Sequence, residues 1–167
     1  MKKRQDLALL CLAFATTLYA GEVSAATATS NVSASIVTAI SITKTADMDF
    51  ADVVASGSAG TVVLSTAGAR SVTGGATLGN STGAAAAAFT VSGDPASTYS
   101  ISLPSSATIT STPNTMTVNT FTSSPSGTGT LSGGGTQALT VGATLQVGAS
   151  QAQGTYTGTF DVTVAYN

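Results

Sequence analysis

The sequence has no histidine and no tryptophan, and its one cysteine is Cys11. Charged residues make up only 7% of its 167 positions, against roughly 25% in an average soluble protein. Each shortage excludes something. Without histidine, and with Cys11 far from any partner thiol, zinc, haem and iron–sulfur sites have no ligand set. General acid–base catalysis loses its usual carriers, so the chain reads as a non-enzyme that needs no cofactor. Lysine plus arginine number 5 against 7 aspartates and glutamates, a net charge of −2. No basic stripe is available for a nucleic acid. The scarcity of Glu, Lys and Arg also removes the residues from which helical bundles are built. The length suits one domain and is short for two.

What the sequence has instead is threonine, serine and glycine, at 30, 22 and 18 residues. It opens with Lys2, Lys3 and Arg4, followed by the apolar stretch Leu7 to Ala20 and the small residues Val23-Ser24-Ala25. A positive start, an apolar run too short to span a bilayer and an A-x-A-like site mark residues 1–25 as a secretory signal peptide, cut between Ala25 and Ala26. The remaining chain then has no cysteine, although export leads to an oxidising compartment. It has no integral membrane span. Its charges are Lys44 and Arg70 against Asp47, Asp49, Asp52, Asp94 and Asp161. So little charge gives weak protection against self-association, which suits a subunit that polymerises.

From Ala26 onward, short runs of Val, Ile, Thr, Phe and Tyr are punctuated by Gly, Ser, Pro and Asn. This is the pattern of an all-β antiparallel sandwich. Residues 26–43 alternate, with Val32, Ala34, Ile36, Ile40 and Ile42 on one side, and predict strands near 27–37 and 39–43. Strands are also expected at 61–64, 69–73, 107–110, 115–122 and 137–147. Ala87 to Ser92 and Thr98 to Leu103, joined by the turn Gly93-Asp94-Pro95-Ala96, read as a hairpin. The chain closes on 155–166, a strand with Tyr156, Phe160, Val162, Val164 and Tyr166 on one face.

Several constellations carry little chemistry. Ser41-Ile-Thr-Lys44 has the S-x-x-K spacing of penicillin-interacting enzymes but sits in an alternating strand without the other triplets. Asp47, Asp49 and Asp52 lack the glycine and closing glutamate of a calcium loop and read as solvated residues at a strand end. Lys44 lacks the buried acid that an amide cross-link to Asn would need. Asn31-Val-Ser33 and Asn80-Ser-Thr82 fit the glycosylation pattern and are read without sugar. Gly133-Gly-Gly135 has no following lysine to hold a phosphate. Three of the four aromatics Tyr99, Tyr156, Tyr166 and Phe121 lie on expected core faces, which favours core over a sugar-stacking platform.

The two ends of the chain resemble a known family. Asn31-Val-Ser-Ala-Ser-Ile-Val-Thr-Ala-Ile-Ser-Ile-Thr43, with Met48-Asp-Phe50, and the ending Gly154-Thr-Tyr-Thr-Gly-Thr-Phe-Asp-Val-Thr-Val-Ala-Tyr-Asn167 resemble secreted pilin subunits of the chaperone–usher type, in the archaic branch related to spore-coat protein U. The chain also looks like a bacterial domain family of unknown function that shares these stretches. The pilins have a disulfide-bonded cysteine near the position of Ile40 or Ser41, and this sequence has none. The resemblance implies an Ig-like sandwich that lacks its last strand and is completed by donor-strand exchange. It implies residues 26–37 as donor, with Val32, Ala34 and Ile36 inserting, and 38–167 as the sandwich domain. It implies Phe160, Val162, Val164 and Tyr166 as the groove edge that a periplasmic chaperone and usher handle before copies join head to tail. The subunit would pass through the periplasm to the cell surface and serve adhesion or biofilm. The sequence leaves two alternatives open. Residues 26–37 can fold back into their own sandwich, and the chain can then be a self-complete secreted module that binds a glycan or a protein.

Overall fold

A computed structural model describes residues 25–167; the proposed signal segment, all but its final residue, lies outside the described residues. The strands are β1 (Ser41–Ala46), β2 (Val53–Val54), β3 (Gly60–Leu64), β4 (Arg70–Gly74), β5 (Thr77–Leu78) and β6 (Ala87–Ser92), followed by β7 (Thr98–Ser102), β8 (Ser106–Ser111), β9 (Asn114–Ser124), β10 (Thr128–Thr130), β11 (Thr136–Val147) and β12 (Thr163–Tyr166). Among the described residues there is no helix, and so none long and apolar enough to cross a membrane. All pairings between strands are antiparallel. The chain is an all-β protein with a sandwich-like fold.

The longest strand, β11, is the spine. Its first half pairs with β6 and its second half with β3, along one edge. Its other edge carries β9, which in turn carries β8. With β1 outside β6 and β4 outside β3, this makes a curled seven-stranded sheet. A three-stranded sheet, β10-β7-β12, and a two-stranded one, β2-β5, complete the fold. Where β11 changes partner, Gly142 lies against the backbone of Leu64, Ser65 and Thr66, and a Cβ would collide with the Leu64 carbonyl.

Alternation along β11 places Leu139 and Val141 in one apolar cluster and Ala143, Leu145 and Val147 in another. The first cluster joins the two large sheets, with Val91 of β6 and Tyr99 of β7 buried against Leu131 and Leu139. The second lies between β11, β3, β9 and the Met48–Val53 segment. Met48 and Phe121 touch both. Most outward positions are Thr, Ser, Gln and Asn, with Val63 of β3 and Ala138 of β11 as apolar exceptions. One row runs across five strands as Thr108, Thr117, Gln146, Thr61 and Thr73. Threonine satisfies the β-propensity of an exposed strand face without a charge.

Three expectations differ from the structure. Residues 25–40 belong to no strand, and the first strand starts at Ser41. Alternation marks a segment fit for a sheet, but a strand exists only beside a partner edge. The expected hairpin does not form: β6 is flanked by β1 and β11, so both its edges are occupied. The Gly93–Ala96 turn therefore carries the chain across to the other sheet, where β7 pairs with β10 and β12. Finally, only Thr163–Tyr166 of the closing segment is paired as a strand, with one further bridge at Thr157 to Thr110.

Candidate functional site

Among the described residues, the closing strand β12 pairs with β7 alone, through Thr163–Ser102, Val164–Ile101, Ala165–Ser100 and Tyr166–Tyr99. The Asn167 N–H donates to Thr98 O at 3.3 Å. Odd-numbered residues of β12 therefore exchange hydrogen bonds with β7. By the alternation of antiparallel ladders, the N–H and C=O groups of Val164 and Tyr166 point off the opposite edge. Among the described residues, strand β1 is likewise an outermost strand, paired only with β6. Strands β1 and β12 lie close to each other.

The side chains of this seam alternate as the sequence predicts. Phe160, Val162, Val164 and Tyr166 turn inward onto the cluster built around Leu139 and Val91, and each is half-buried. Ile40 and Ile42 of the facing segment pack on the same cluster. Phe160 meets Phe89 edge-on, with ring centroids 6.5 Å apart, and Phe121 at 5.0 Å. The intervening residues Thr159, Asp161, Thr163 and Ala165 are exposed. The site is thus a strip of half-covered apolar side chains flanked by two rows of free backbone groups.

One polar group stands at its end. The Tyr166 hydroxyl donates to Thr38 O at 2.7 Å and accepts from the Asp94 N–H at 2.5 Å. Val37, Ser97, Thr98 and Asn167 surround the same tyrosine. Neither Thr38 nor the Gly93-Asp94 turn stands out in the sequence as part of a site, because each contributes a backbone group. The signal that could have found them is the glycine before Asp-Pro, a position where a side chain would press on the tyrosine ring.

The candidate donor residues lie in the stretch without strands. Val32 is 95% and Ile36 99% exposed, and Ala34 is exposed as well. Ala25 and Ala26, at the proposed cut, are also exposed. Among the remaining candidates, Lys44 bonds to the Asp47 carboxylate, and Asp49 accepts from the Ala51 N–H at 2.7 Å. Both are local contacts at a strand end. The Tyr156 hydroxyl donates to Ala152 O at 2.8 Å. Tyr99 is fully buried, and its hydroxyl donates to Gln137 Oε1 at 2.7 Å. Arg70 bonds to the carbonyls of Phe50, Asp52 and Asn80, at 2.7, 3.0 and 3.1 Å, and so ties two loops together. No group of three or more His, Cys, Asp or Glu side chains able to hold a metal occurs among the described residues.

Neither a curated protein nor a solved structure matches the chain. A family described as a domain of unknown function, DUF4402, matches residues 40–166. The matched region begins at Ile40 and ends at Tyr166, on the two sides of the seam, and it takes in the whole strand framework that builds it. The chain belongs to the DUF4402 family.

Proposed function

We propose that this protein is an exported structural subunit that forms a surface fibre by strand exchange, with residues 26–37 of one copy seated between β12 and β1 of the next. The observation that carries this reading is the seam itself. Among the described residues, two neighbouring edge strands are left without a second partner above apolar side chains that are only partly covered. Unpaired edges and exposed apolar strips are costly in an isolated subunit and are the usual substrate for an added strand.

The rest of the chain fits such a strand. Residues 26–37 alternate with a period of two, so Val32, Ala34 and Ile36 fall on one face. At about 3.3 Å per residue the segment reaches about 40 Å, enough to run along β12 and along the roughly 30 Å that the residues from Gly158 to Tyr166 would span if fully extended. A donor segment and an acceptor edge that are different parts of the chain make a heterologous contact, which grows into an open fibre. An isolated subunit of this kind needs its seam covered until assembly. That is the role we assign to a periplasmic chaperone acting through Phe160, Val162, Val164 and Tyr166, with an usher at the outer surface and adhesion or biofilm as the outcome.

The test is an immunoblot of surface extracts, with and without boiling in detergent, for the full chain and for a variant lacking residues 26–37. The full chain is expected to give a ladder of multiples that collapses to one band on boiling, because strand-exchanged polymers resist detergent kinetically. The variant is expected to be exported and to remain a monomer. A ladder from the shortened variant would overturn the donor assignment. A monomer from the full chain in both lanes would point instead to a self-complete module that binds a glycan or a protein.

A further inference from the structure

The same seam has a second feature, and its interpretation rests on the strand-acceptor function proposed above. The Tyr166 hydroxyl joins three separate parts of the chain. It is the last inward side chain of β12, it donates to the carbonyl of Thr38 and it receives the N–H of Asp94 in the turn after β6. Thr38 lies just before Ile40, where the chain approaches β1. Tyr166 thus fastens the root of the N-terminal segment across the end of β12. The contact is built, because Gly93 leaves the space for it. A Cβ there would strike the tyrosine hydroxyl and its ring carbon, and would crowd Leu131.

We infer that Tyr166 is a clasp that keeps the end of the seam closed in the free subunit, and that it must release Thr38 before an incoming strand can pair along the whole of β12. With the clasp shut, residues 37–40 of the same chain occupy the place beside Tyr166, and a docking strand finds only the edge up to Val164. With it open, the hydroxyl and the backbone of Tyr166 become available to the newcomer. The tyrosine acts as a conformational gate on assembly, and its ring stays in the core in either state.

The test uses the full chain as monomer and a fluorescent peptide of residues 26–37 as the probe, followed by anisotropy. Two variants open the clasp by different means. Tyr166→Phe removes the hydroxyl and keeps the ring, and Gly93→Ala displaces the hydroxyl by a methyl group. Releasing Thr38 breaks one hydrogen bond of ordinary net strength, which corresponds to about a fivefold change in rate. Both variants are expected to capture the peptide about fivefold faster than the unaltered chain, and hydrogen exchange is expected to show faster exchange at the Asp94 amide. Capture at the same rate by all three chains would overturn the clasp and leave the strand-acceptor reading intact. Failure of the unaltered chain and both variants to capture peptide, with β-sheet circular dichroism unchanged, would overturn both. If one variant loses its sheet signal, the other decides.

Discussion

At the scale of single residues, the side chain that most rewards attention is Tyr99. It is fully buried, and burial raises its phenol pKa above the ordinary value. Folding therefore favours the neutral form. The sign follows from linkage: the contribution is fully present below the pKa of an unfolded tyrosine, about 10, and is lost as pH rises through that value toward the higher folded one. Denaturant unfolding at pH 8 and pH 11 is expected to show a loss of stability at the higher pH. Tyr99→Phe is expected to flatten that loss while costing about 1 kcal/mol at pH 8, from the bond to Gln137. Gln137 Oε1 keeps its other donor, the Thr130 N–H at 3.0 Å, so the variant leaves no orphaned acceptor. An equal alkaline loss in both proteins would show that other groups set it.

At the scale of elements, the bend in β9 is informative. Pairing with β11 shifts register between Gly142 and Thr144, opposite Asn119 to Thr122, and Thr120 there has a φ of 49°. A β-branched residue in the left-handed region is strained. Thr120→Gly is expected to raise the stability of the fold by about 1 kcal/mol, read as a higher denaturation midpoint. A lower midpoint would mean that the exposed threonine side chain is worth more than the strain. The bend also shows what alternation conveys and what it omits. The strands around 61–64, 69–73, 107–110, 115–122 and 137–147 were legible because each has a buried face of period two and a turn beside it. The pairing was not. Gly93-Asp94-Pro95-Ala96 has the composition of a hairpin turn, but both edges of β6 are filled by strands distant in sequence. The inward face of 155–166 was legible down to Phe160, Val162, Val164 and Tyr166, whereas its lack of a second neighbour depends on where β1 lies. Thr38 and Asp94 take part through backbone atoms, which carry no residue-specific signal.

At the scale of the whole molecule, the low charge decides how subunits meet. Residues 26–37 carry no charged side chain, and the inward residues of the seam are apolar or tyrosine. Without opposite charges to draw the partners together, association gains nothing from electrostatic steering. Assembly of purified subunits, followed by light scattering, is expected to proceed at nearly the same rate in about 50 mM and about 500 mM salt, where the screening length falls from over 10 Å to about 4 Å. A strong slowing by salt would place charged groups such as Lys44 or Asp161 at the contact. The same scarcity has a consequence for survival outside the cell. Beyond the proposed export signal, Lys44 and Arg70 are the only basic side chains. One lies in β1, and the other lies in β4 with its guanidinium held by three carbonyls. A trypsin-like protease therefore finds its two cleavable bonds within β1 and β4, while the exposed stretch from Ala26 to Ala39 offers it none. Digestion by such an enzyme would have to wait for the sheet itself to open.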